Sequence, residues 1–153
     1  MSTMQGFDPP TRSACIHEAA HAAVAHVLGA RLGPTECRAG VGVLGCCQFR
    51  TWGLDPIAVA AIGLAGGIAE EVIAHISLSV AAAGAGRDMR DSEMALFKLP
   101  AEERAAAMQN ALRLAQRIVS ERRVAIEKLA DWLTTFGEVG PAIATVILER
   151  AAA

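Results

Sequence analysis

Tyrosine is absent from this chain, and aromatic residues make up only 4% of its 153 positions. The interior must therefore be built from small and aliphatic side chains, and abundant alanine favours closely packed helices. Basic residues do not outnumber acidic ones: 14 Lys and Arg against 16 Asp and Glu leave a net charge of −2. Nothing electrostatic argues for a nucleic-acid partner. No apolar stretch reaches the roughly 20 residues that a spanning helix needs. The longest runs from Ile57 to Ala69 and is closed by Glu70 and Glu71, so it reads as a buried helix and no membrane span is expected. Cysteine is sparse and unpaired in pattern: Cys15, Cys37, Cys46 and Cys47 form no C-x-x-C motif. With no secretory signal before the helical region, a reduced, cytoplasmic setting is expected.

With 53% hydrophobic and 20% charged residues the chain is not a disordered one. Its length allows one domain with a core that needs no disulfide staples. Residues 1–10, ending in Asp8-Pro9-Pro10, read as a flexible lead-in, and 11–153 as a single domain.

Within an alanine-rich helical run stands His17-Glu18-Ala19-Ala20-His21, an H-E-x-x-H sequence. Residues four apart lie one turn above each other on a helix, so both imidazoles can reach one metal ion. Glu18 flanks the pair, placed to act on a water held there. This is the zincin arrangement, with two histidines holding Zn²⁺ and the carboxylate as general base. The alternative, a core helix with two incidental histidines, is the weaker reading.

Thr11 or Ser13 opens this helix, which runs to about Leu28 with Gly29 near its end. Its small side chains let other backbones come close, which suits a central position. His26 falls off the His17–His21 face. Beyond Gly33-Pro34, Glu36–Ala39 and Val41–Arg50 read as two short strands. In the second, Val41, Val43, Cys47 and Phe49 share one face, with Gln48 and Arg50 on the other. An exposed edge strand there can take up an extended peptide by main-chain pairing. A second zinc site from Cys37, Cys46 and Cys47 is disfavoured, because adjacent strand residues face opposite sides.

Asp55-Pro56 starts a second helix that continues to about Ile76. Gly63, Gly66 and Gly67 cost it helix propensity, roughly 1 kcal/mol each, and close packing on the first helix is the simplest reason. Leu78–Gly86 reads as a loop, with Asp88 and Asp91 at the cap and third position of a helix ending near Phe97. One long helix is expected from Ala101 to about Trp132, then a short terminal one beyond Gly140-Pro141. The fold class is mainly helical α+β, with a small β-hairpin or sheet beside a zincin helix.

A catalytic zinc needs three protein ligands and an open position. Asp88, Glu70 or Glu71, and His75 are the candidates for the third, and spacing does not separate them. Glu70 or Glu71 also suits a hydrogen bond to a ligating histidine.

Four segments resemble the peptidase domain of the FtsH family of ATP-dependent zinc proteases. His17–His21 is similar to its H-E-A-G-H, and Leu64–Glu71 to its L-G-G-R-x-A-E-E. Ala82–Met89 is similar to T-T-G-A-S-x-D-L, and Arg122–Ala130 to H-R-x-A-L-E-x-L-A. The order is kept over about residues 11–148. The resemblance implies Asp88 as third ligand, beside His17 and His21, and Glu18 as the catalytic base. Ala20 and Ala65 stand where the family has glycines, Gly67 where it has arginine, and Ala82-Ala83 where it has two threonines. No P-loop occurs in the chain. The expectation is a zinc endopeptidase that hydrolyses unfolded or flexible polypeptides without its own ATPase, as a homo-oligomer or with a separate unfoldase. Its rival is a binding or regulatory protein that keeps the metal site without turnover.

Overall fold

A computed structural model describes residues 10–38, 45–77 and 86–151. The expected lead-in over 1–9, Val41 and Val43 of the second strand, and the loop over 78–85 lie outside the described residues. Every residue from Cys15 to Ala25 is buried. These belong to helix α1, Arg12–Val27, whose alanines let the other elements pack on all its sides. The Thr11 hydroxyl caps it, accepting from the Ala14 amide at 3.3 Å. Its far end closes through Gly29 at φ 85°, a left-handed geometry that glycine adopts freely.

Strand β1, Arg31–Cys37, returns along α1 and pairs antiparallel with β2, Gly45–Arg50. It begins earlier than the pattern suggested: Gly33-Pro34 sits within it, where the register shifts between Leu32 and Thr35. Proline is tolerated in a strand at such an irregularity. In β2, Cys47 and Phe49 are half-buried while Cys46, Gln48 and Arg50 are exposed. That is the expected period-2 alternation.

Helix α2, Pro56–Val72, is capped by the Asp55 carboxylate, which accepts from the Ile57 and Ala58 amides at 2.8 and 3.1 Å. It stops short of Ile76. The amides of Ala74 and Ile76 turn back to the carbonyls of Ala69 and Glu70 at 3.3 and 3.0 Å, with His75 at φ 57°. Glycine or asparagine usually marks such a turn, and neither is present. Helix α3, Gly86–Leu96, places Asp88 in its first turn rather than at the cap.

The single long helix expected over Ala101–Trp132 is divided. A short 3₁₀ turn at Ala101–Glu103 leads into α4, Arg104–Glu121, and α5 runs over Arg123–Phe136. Arg122 leaves helical geometry at ψ 16°. The apolar spacing through Ala107, Ala111, Ala115, Ile118, Ile126, Leu129 and Leu133 crosses this break uninterrupted, and no glycine or proline signals it. Packing decides: α4 lies mainly on α2, and α5 mainly on α1. A third strand, β3 at Glu138–Val139, pairs antiparallel with β1 before helix α6, Pro141–Arg150. The sheet order is β2-β1-β3, which leaves β2 at an edge among the described residues. The whole is mainly helical α+β with a small antiparallel sheet. Among the described residues, no helix is long and apolar enough to cross a membrane.

Candidate metal centre

Helices α1, α2 and α3 and strand β2 wall a cavity of about 710 Å³. His17 and His21 enter it from α1, one turn apart as their spacing requires, and Asp88 enters from the first turn of α3. The His17 and His21 Nε2 atoms are 3.0 Å apart, and Asp88 Oδ2 lies 2.8 Å from the first and 3.2 Å from the second. This is the one group of candidate metal-ligating side chains among the described residues. Cys46 and Cys47 line the same cavity but belong to no such group. Cys46 is exposed, and the Thr35 hydroxyl donates to Cys47 Sγ at 3.5 Å.

The partners behind the imidazoles decide what the cluster can hold. His21 Nδ1 lies 2.7 Å from the Ile62 carbonyl, which can only accept, so Nδ1 carries the proton. His17 Nδ1 lies 3.2 Å from Glu70 Oε1 and donates to that carboxylate. Each neutral ring therefore aims the lone pair of Nε2 inward, at a carboxylate oxygen that is itself an acceptor. Three acceptors converge with no donor among them, an arrangement that needs a cation or a proton between them. Ligands about 2.0–2.2 Å from a tetrahedral zinc lie about 3.3–3.5 Å from one another, so the cup, whose ligand atoms are 2.8–3.2 Å apart, has to open by a few tenths of an ångström to seat an ion in that geometry. The donor set and its convergence on one point fit a metal ion.

The electrostatics agree. Glu18, Glu70, Asp88 and Asp91 line the cavity, with Arg87 as the one guanidinium on its wall. Burial drives the His17 pKa down, but hydrogen bonds to Asp88 and Glu70 outweigh it and raise the group to about 10. In the absence of a metal, the cup draws in a proton. Burial raises the Asp88 carboxyl, yet its contacts with His17 and His21 prevail and hold it well below the usual carboxylate range. Glu18 is 8% exposed. Burial pushes its carboxyl up, and the two imidazoles only partly offset this.

The other candidates separate cleanly. Glu70 stands behind His17 as a hydrogen-bond partner, whereas Glu71 is exposed. His75 is exposed in the turn after α2 and joins no ligand group. His26 lies away from the cleft, with Nε2 3.8 Å from Glu149 Oε1. Two contributors escape sequence reasoning. The Ile62 carbonyl is a backbone group, and no residue type announces it. Gly45 opens β2 directly against Glu18: a Cβ there would lie 2.5 Å from Glu18 Cγ. The glycines of α2 also divide their work. A Cβ at Gly66 would lie 2.5 Å from His17 Nε2, so its close approach is to α1 as expected, but Gly63 faces Ser92 of α3.

No protein-family model and no curated protein matches this chain.

Proposed function

We propose that this chain is a zinc-dependent endopeptidase that cuts extended segments of unfolded or flexible polypeptides. The observation that carries the reading is the convergence of two imidazole lone pairs and a carboxylate beside a buried Glu18, in a cleft bordered by an edge strand. The resemblance of its motifs to the FtsH peptidase domain supports the same reading, with Asp88 as third ligand. Two histidines and a carboxylate also suit iron; the acid–base group beside them is what favours hydrolysis.

His17, His21 and Asp88 would hold the ion, with Glu70 and the Ile62 carbonyl fixing the tautomer and tilt of the rings. When bound, Zn²⁺ polarises a carbonyl and acidifies water at its open position. Glu18 takes the proton of the attacking water on its carboxylate. Its raised affinity for protons suits a group that must accept one and then pass it to the departing amide nitrogen. Strand β2, at the edge of the sheet among the described residues, would offer main-chain N–H and C=O groups that pair with an extended peptide and lay it across the cleft.

Elemental analysis of protein purified without added metal should find close to one zinc per chain. Asp88→Ala should lose most of it. Glu18→Gln should keep the zinc and cut casein at least about 10²-fold more slowly than the parent, the usual scale for a general base. ATP should change neither rate. Equal, slow cleavage by parent and Glu18→Gln would favour a metal-retaining binding protein, and iron in place of zinc would overturn the metal assignment.

A further inference from the structure

Helix α3 delivers a metal ligand, yet among its residues only Ser92 and Leu96 are buried. Asp88, Ser92 and Leu96 are spaced four apart and so share one face. Asp88 is thus the outermost member of a stripe whose other two members anchor the helix. Ser92 is 1% exposed, and its hydroxyl donates to the Ala60 carbonyl of α2 at 3.1 Å. Three residues along α2 from Ala60 stands Gly63. A Cβ at that position would collide with Ser92 Oγ and lie 3.2 Å from the Asp88 carbonyl. The two backbones therefore meet where α2 has no side chain. The same turn of α2 also supplies the Ile62 carbonyl that fixes His21.

We infer that Gly63 and Ser92 form a lock that sets the position of Asp88 relative to His21, with Ser92 as a positioning residue for the third metal ligand. The inference rests on the metal reading above and goes beyond it. A side chain at residue 63 must either turn the Ser92 hydroxyl off the Ala60 carbonyl, breaking the bond that anchors α3, or displace α3 itself. Restoring ordinary contact distances of about 3.5 Å needs movement on the order of 1 Å, several times the tolerance of about 0.2 Å on a metal–ligand bond. Removing the Ser92 hydroxyl frees the space into which an alanine methyl at 63 would go. The built Cβ at 63 is then 3.4 Å from the Cβ of residue 92, and the 3.2 Å approach to the Asp88 carbonyl that remains asks for a shift of only a few tenths of an ångström. An Ala/Ala pair should thus rebuild by packing what Gly/Ser achieves by hydrogen bonding.

The test is a double-mutant cycle on the full chain, read by zinc affinity in chelator competition and by hydrogen exchange of the α3 amides in zinc-stripped protein. Gly63→Ala should weaken zinc about 10–100-fold, the scale for groups that hold a ligand in place, and lower α3 protection. Ser92→Ala should weaken it by only a few-fold. The double variant should return to within a few-fold of the parent in both readouts. Should Gly63→Ala fail to fold, recovery of folding and zinc binding in the double variant supports the lock, and failure of both overturns it. Four proteins with equal affinity and equal α3 protection would also overturn it. A parent that binds no zinc would bring down the metal reading instead, while the exchange data would still report whether Gly63 and Ser92 couple.

Discussion

Helices α1 and α3 supply the same cleft but are held there in opposite ways. Around α1 the protein packs on every side, and all residues from Cys15 to Ala25 are buried. Helix α3 is largely exposed, and its Asp88 side chain keeps 30% of its surface in solvent. A closely packed element stays put, because a shift would open voids or force overlaps in the interior. A helix anchored by a serine and a leucine has far less holding it. A cup whose histidines come from the first and whose carboxylate comes from the second has a rigid half and an adjustable half. Damage on the α1 side should therefore cost both stability and metal, whereas damage on the α3 side should cost metal first.

Crowding α1 should have the largest effect. Gly66→Ala places a methyl 2.5–2.6 Å from three atoms of the His17 ring, too close for the ring to stay where it is. Overpacking of this kind costs about 1–3 kcal/mol, and zinc affinity should fall by at least about 100-fold, since the ring itself must turn. Thermal melting with and without zinc, alongside chelator competition, checks both effects. A variant that melts and binds like the parent would show that α1 is not the rigid half.

A smaller effect separates the neighbouring carboxylates at the end of α2. Glu70→Gln keeps the shape but weakens the hold on His17 Nδ1, and zinc affinity should drop about 10–100-fold with little loss of stability. Glu71→Gln, at an exposed position, should stay within about 0.5 kcal/mol in stability and leave zinc binding alone. Equal losses from both would mean that charge near the cup, rather than the Glu70 hydrogen bond, is what counts.

Proton and metal compete for the same cup, and stability should show it through pH. His17 is raised from 6.5 to about 10, so its proton stabilises the metal-free fold fully below about pH 6.5. That contribution is lost as pH rises through about 10. Asp88 is shifted down, so its contribution is present above its ordinary pKa and fades in acid. Metal-free protein should accordingly lose stability from about pH 6.5 to 10, while zinc-loaded protein should not, because the ion takes the place of the proton. Zinc affinity should rise over the same window and fall in acid. Melting temperatures against pH, with and without zinc, give the answer. Parallel curves for the two forms would mean that proton and metal do not share the site.

The parts of the site that lie within one helix were legible in the order of residues. His17, Glu18 and His21 need only helical spacing to come together, and Thr11, Asp55 and Gly29 end their helices through bonds made within a few residues. The division at Arg122 was not legible, because an unbroken 3.6-residue apolar rhythm crosses it. Nor was the end of α2, where His75 takes a left-handed turn without the glycine that usually marks one.

The order of residues alone accounts for the paired imidazoles, the carboxylate of Glu18 beside them, the helical character of the chain and the alternation along β2, since each depends on the geometry of a single element. Only the tertiary structure decided which carboxylate closes the cup and which one stands behind it. Glu70 and Glu71 differ by about 100° around a helix, and only the seating of α2 on α1 turns one toward His17 and the other to solvent. Asp88 lies 71 residues from His17 along the chain. What brings it beside the two imidazoles is the contact of α3 with α2 at Ser92 and Gly63, a relation between two surfaces that neither segment carries alone.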